Sequence, residues 1–207
     1  MKISHVVRTL VLSDFLINSG FSVFAPILAV FVTKQIQGGS LEVVGFATAI
    51  GQIFKVGLQI PVARILDKNH GEYDDFVSMV AGSILIAIVP FLYYFATQVT
   101  HLYLIQALYG VGAALAVPPW YAIFTRHIDH MKENIEWSME SVAIGISGAG
   151  AAALGGILAQ RLGFQPIFLI GGVVAMIGAI VQMLIYRDLK HKVARGGVKP
   201  SSPSIVS

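Results

Sequence analysis

The sequence predicts an all-α membrane protein: a bundle of six transmembrane helices with both termini cytoplasmic. Three observations carry that expectation. The 207 residues are 56% hydrophobic and only 12% charged, with a mean hydropathy of +0.75, whereas soluble domains carry about 25% charged residues. The apolar residues gather in six runs of about 20 residues or more, each enough to cross a hydrocarbon core of roughly 30 Å. The basic residues, finally, are sorted by side.

The six runs are Val6–Val32, Leu41–Leu66, Phe76–Thr97, Leu102–Thr125, Trp137–Leu162 and Pro166–Tyr186, joined by short connections. The first is longer than the apolar region of a secretory signal and is interrupted by Asp14 and Asn18, so it is expected to stay in the mature protein. An even number of spans puts both ends on one side. Lys2, Arg8, Arg64, Lys68, Arg126, Lys132, Arg187, Lys190, Lys192, Arg195 and Lys199 fall on that side, against Lys34 and Arg161 on the other. Lysine and arginine are retained on the cytoplasmic side, so the termini are expected there and the protein in the plasma (inner) membrane. The bundle is expected over residues 1–192. Residues 193–207, rich in Gly, Pro and Ser, have too few apolar side chains to pack and read as a disordered cytoplasmic extension.

Composition also narrows function. With no cysteine there is no disulfide, thiolate metal site or cysteine nucleophile. The net charge of +3 follows membrane sidedness, so the partners expected are the lipid bilayer and a small-molecule substrate, not nucleic acid. No phosphate-binding loop, metal cluster or nucleophile–base pair is legible, which argues against an enzyme or an ATP-driven pump and leaves no cofactor or metal to expect. His101, His127 and His130 sit near span ends and read as solvated.

A charge at the bilayer centre costs at least about 2.5–3.5 kcal/mol, so ionisable groups within spans mark function by default. Asp14 and Asn18, four residues apart, share a helix face in the first span. Asp14 lies about 9 Å into the membrane counted from Arg8. It reads either as a cavity-lining proton or substrate site, or as a carboxylate satisfied by hydroxyls and water. In the second span Thr48, Gln52, Lys55 and Gln59 recur at steps of four, three and four and form one polar stripe. Lys55, about 18 Å along the axis from Asp67, falls near the midplane. The stripe is expected to face a water-filled cavity or a polar partner surface. Lys55 and Asp14 lean in opposite directions, so Lys55 reads as a site for an anionic substrate. Gln106 and Tyr109 in the fourth span complete the expected substrate pathway. Pro118 and Pro119 are expected to kink that helix, and Trp120 reads as packing or interfacial.

The segment "ARILDKNHGEYDD" between the second and third spans resembles the loop signature of the major facilitator superfamily, with Asp67, Lys68 and Gly71 matching its Asp, basic residue and Gly. "LIQALYGVGAAL" in the fourth span and "GAAALGGILAQRLGFQPIF" from the fifth into the sixth support the match. The resemblance covers the amino-terminal half of a usual member, which has two six-helix halves. There are departures: an extra residue before Gly71, the acidic run Glu72 to Asp75 where the family tends to be basic, Gln106 in place of an arginine, and Ala151-Ala152 in place of Gly-Pro. These weigh against a drug/proton antiporter.

In the fifth span Ser141, Gly145, Gly148, Ala152, Gly155 and Ala159 form a seam of small residues, suited to close approach of another helix. It serves either packing within the bundle or a second subunit. The resemblance implies transport by alternating access about a midplane site, by a homodimer or with a second six-helix half, with span two meeting span five of the partner. It also makes Asp67 a cytoplasmic latch near a partner helix terminus. The competing readings are a non-transporting half that serves as a membrane packing module, and an incomplete chain whose second half lies elsewhere.

Overall fold

The structure is a computed structural model that describes residues 3–68 and 72–193, with side chains to residue 189. Its helices are α1 (His5–Ser22), α2 (Leu28–Gln35), α3 (Leu41–Leu66), α4 (Glu72–Phe95), α5 (Val99–His127), α6 (Glu133–Leu162), α7 (Gln165–Gln182) and the short α8 (Tyr186–Val193). Six helical segments are long and apolar enough to cross a membrane: α1 with α2, α3, α4, α5, α6, and α7 running on to Leu189. The second span begins and ends where the hydropathy places it.

The first span departs from a single helix. A 3₁₀ turn at Ala25–Ile27 separates α1 from α2, with Pro26 in its first turn. Proline has no N–H to return to the preceding turn, so the α-ladder is interrupted there. Pro118 and Pro119 lie within α5, which is helical throughout from Val99 to His127. At the start of α3, Ser40 accepts a hydrogen bond from the Val43 N–H at 3.2 Å, a cap satisfying one of the orphan donors of the first turn. Gly163 ends α6 at φ 82°, a backbone conformation that glycine enters without penalty.

Helices α1, α4, α5 and α7 form the packed centre, α3 lies against α5, and α6 lies against α1. Small residues set these crossings. A Cβ at Gly82 would meet the Gly112 carbonyl and the Ala116 backbone at 2.5 Å, and one at Gly178 would meet the Ser13 carbonyl at 2.8 Å. Where lipid is as apolar as the side chains, such close backbone approach is what holds helices together. An aromatic cluster of Phe24, Phe31, Tyr93 and Phe168 fills the end of the bundle away from the termini. Leu10, Met79, Ile123, Phe124 and Ile185 fill the other.

Two helices are left largely uncovered. In the most apolar stretch of α3 and of α6 only 11% of residues are buried, against 33–50% in the other four spans. Both therefore present long faces to whatever surrounds this bundle.

Candidate functional site

Helices α1 and α6 run side by side in the same direction and are matched rung by rung. Asp14 faces Glu140. One turn on, Asn18 donates to the Ser147 hydroxyl at 2.6 Å and to the Ile144 carbonyl at 3.2 Å. Further along, Gly155 packs onto the backbone of Val23. Counted at 1.5 Å per residue, Glu140 lies about 10 Å along α6 from Glu133, well inside the span.

The two carboxyl groups line a cavity of about 160 Å³ among α1, α4, α5, α6 and α7. Ser83 comes from α4, Trp120 and Tyr121 from α5, Trp137 from α6 and Gln182 from α7. Glu140 is 4% exposed, Gln182 1% and Trp120 8%, so all three polar groups are withdrawn from solvent. None is satisfied: both oxygens of Glu140, Oε1 of Gln182 and the indole Nε1 of Trp120 have no hydrogen-bond partner. Buried polar atoms are otherwise almost always paired, because an orphaned one costs about 1–3 kcal/mol. These four gather at one cavity, and the other orphans among the described residues, Oε2 of Glu72, Nε2 of His127 and Oε1 of Glu136, lie on residues outside its lining. Asp14 and Glu140 thus set two carboxyl groups side by side within the span, with no basic side chain in the cavity lining.

At the end of the bundle that carries the termini, a second polar group closes the connections. Arg126 near the end of α5 pairs with the buried Asp75 in the first turn of α4. His127 accompanies it, with Nδ1 at 2.9 Å from the Ile123 carbonyl and 3.8 Å from Glu72. Lys132 pairs with Asp129 at 3.0 Å, and Glu136, wholly buried, accepts from the Asp129 N–H at 3.3 Å. The acidic run Glu72 to Asp75 is thus matched to the basic end of the neighbouring helix. His127 is buried, not solvated as its place near a span end suggests.

The residues 10–206 match the family model described as Major Facilitator Superfamily. The chain belongs to the major facilitator superfamily. It is accordingly a multi-pass membrane protein of a transporter family. Among curated proteins nothing matches.

In this superfamily bundle the residues marked by sequence separate into groups. Asp14 lines the cavity, and Asn18 ties α1 to α6 one turn beyond it. Gln106 donates to the Tyr93 hydroxyl at 2.7 Å, and the Tyr109 ring packs tilted against Phe21 with centroids 5.5 Å apart, so both are engaged with neighbouring helices. Thr48 and Gln52 are exposed and Lys55 and Gln59 half-buried on α3, whose packing is chiefly against α5. Lys55 has no ion-pair partner among the described residues, and its backbone lies against Gly110. Asp67 and Lys68 are exposed at the end of α3, and Gly71 lies outside the described residues, as does the extension from residue 194 on.

The small-residue seam divides. Gly155 and, more loosely, Gly148 approach α1, whereas Ser141 is exposed and a Cβ at Gly145 would meet nothing within 4 Å. Sequence reading passed over Glu140 and Gln182. The signal for Glu140 was present: Glu136, Glu140, Ile144 and Ser147 recur at steps of four, four and three, one helix face that turns toward Asp14 and Asn18.

Proposed function

We propose that this chain moves a small solute across the membrane by alternating access, its bundle rocking against a second six-helix bundle. The Asp14–Glu140 cavity would be the place where the solute, a proton, or each in turn is held. One observation carries the reading. A buried glutamate with no donor, set against a second carboxyl group inside a membrane span, is expensive, and a bundle that only packed would have no use for it. The same observation counts against a non-transporting packing module.

The second bundle is inferred from the uncovered faces of α3 and α6. Large apolar side chains such as Phe46, Ile53 and Ile60 on α3 and Val142, Ile146 and Ile157 on α6 are exposed, beside the open glycines Gly45, Gly57 and Gly145. In our reading a second copy of the chain covers them, α3 of one meeting α6 of the other. The stripe Thr48, Gln52, Lys55 and Gln59 then faces the space between the bundles. Asp67, with the neighbouring Lys68, reaches the partner at the cytoplasmic side, where a carboxylate beside a helix amino terminus is stabilised by its dipole. The lysine and arginine distribution supports cytoplasmic termini in the plasma (inner) membrane.

The test is a mass measurement of the protein in nanodiscs followed by solute uptake in proteoliposomes. A species of two bundles with uptake above empty liposomes is expected. A single bundle that moves no solute would refute the reading.

A further inference from the structure

We infer that the Asp14–Glu140 cavity binds one small organic cation bearing N–H groups, an alkylammonium or a guanidinium. This rests on the reading of the cavity as the solute site and names the class of solute.

Charge is the first argument. Two carboxyl groups line the cavity and no basic side chain does. The titratable groups facing it are Asp14 from α1, Tyr121 from α5 and Glu140 from α6, while the polar groups from α4 and α7 are the uncharged Ser83 and Gln182. Glu136, one turn before Glu140, is turned to the Asp129 backbone, and Arg8 lines a separate groove with Met139. An anion would meet two carboxyl groups and only neutral donors, those of Ser83, Trp120, Tyr121 and Gln182.

Hydrogen-bonding capacity is the second. On the cavity-lining residues the orphaned atoms are three acceptors, both oxygens of Glu140 and Oε1 of Gln182, against one donor, Nε1 of Trp120. Alkylammonium and guanidinium ions have several donors and no acceptor.

The third is the wall. The rings of Trp120, Tyr121 and Trp137 adjoin one another, with centroids 5.3, 6.0 and 6.3 Å apart, a surface that attracts an organic cation through its π faces and covers its apolar part. A bare metal ion has no apolar part for the rings to cover. Size sets the limit: a cavity of about 150 Å³ holds a benzene molecule, so the roughly 160 Å³ here takes a few non-hydrogen atoms, not a disaccharide or nucleotide. Tyr121 and Ile144, 52% and 39% exposed, stand at its rim and give a way in.

A cation and a proton compete for the same carboxylates, so binding should weaken as pH falls and the carboxyl groups fill with protons.

Trp120 and Trp137 are the only two tryptophans in the sequence, so intrinsic fluorescence reads this cavity directly. The full chain in nanodiscs would be titrated with methylguanidinium, which keeps its charge at every working pH, with its neutral isostere methylurea, and with propionate. A saturable change with methylguanidinium alone is expected, weakening toward low pH and at least tenfold weaker in both Asp14→Asn and Glu140→Gln. Methylurea or propionate binding as tightly, or both variants binding as wild type, would overturn the inference. Two failures are distinguishable: binding without flux in proteoliposomes refutes the transporter reading alone, and flux of another solute without methylguanidinium binding refutes the cation alone.

Discussion

At the scale of single residues the account turns on Glu140. Its two oxygens are sealed from solvent without a donor, and its neighbour across the helix interface is another carboxyl group. Stability alone would favour an amide there, because Glu140→Gln keeps the shape and gives Asp14 an N–H to accept. That variant is therefore expected to unfold no earlier than wild type, and up to roughly 2–4 °C later, the shift about 1 kcal/mol gives in a chain of this size. Measured by thermal unfolding in detergent, a lower midpoint would mean that Glu140 serves structure. Arg126 illustrates the opposite case. It is the partner of Asp75, whose side chain is only 7% exposed, but is itself 44% exposed. Removing it in Arg126→Ala strands a buried carboxylate that water reaches only partly, a cost of about 1–3 kcal/mol, discounted from the 3–5 kcal/mol of a wholly buried pair. The same melting experiment checks it, and an unchanged midpoint would show that the pair contributes nothing.

At the scale of elements the glycines of α6 separate two kinds of contact. Gly155 touches the Val23 backbone, while Gly145 touches nothing. Gly155→Val must push α1 from α6, which overpacking makes a matter of about 1–3 kcal/mol. Gly145→Val should leave the melting of the isolated bundle unchanged and weaken association of bundles. A native mass measurement beside the melting curve distinguishes them, and the account fails if Gly145→Val melts early or associates normally. Element positions were largely legible in the sequence. The six spans follow from hydropathy, and α3 coincides with its apolar run because Ser40 and Asp67 bound it on both sides. What hydropathy does not carry is which faces meet. Glu140 was overlooked because α6 reads first as a run of small residues, and its carboxylate acquires meaning only when Asp14 is set opposite. That Gln106 donates to a Tyr93 hydroxyl one helix away is likewise a matter of which faces meet. The break between α1 and α2 was written in Pro26, but an apolar run of 27 residues from Val6 to Val32 hides a local stop.

At the scale of the whole molecule the bundle is asymmetric. Four spans bury one another and two do not, and the cavity's rim residues Tyr121 and Ile144 belong to α5, in the packed centre, and to α6, one of the two uncovered helices. A site near such an edge suits a machine that opens and closes there. The family assignment supplies the class of activity, and the cavity supplies the residues on which this chain would perform it.

The most direct measurement is uptake of radiolabelled methylguanidinium into proteoliposomes holding wild-type protein or Glu140→Gln, with empty liposomes as background. The account predicts saturable uptake by wild type and at least a tenfold loss in the variant, with the melting temperature preserved. Uptake by Glu140→Gln equal to that of wild type would contradict it.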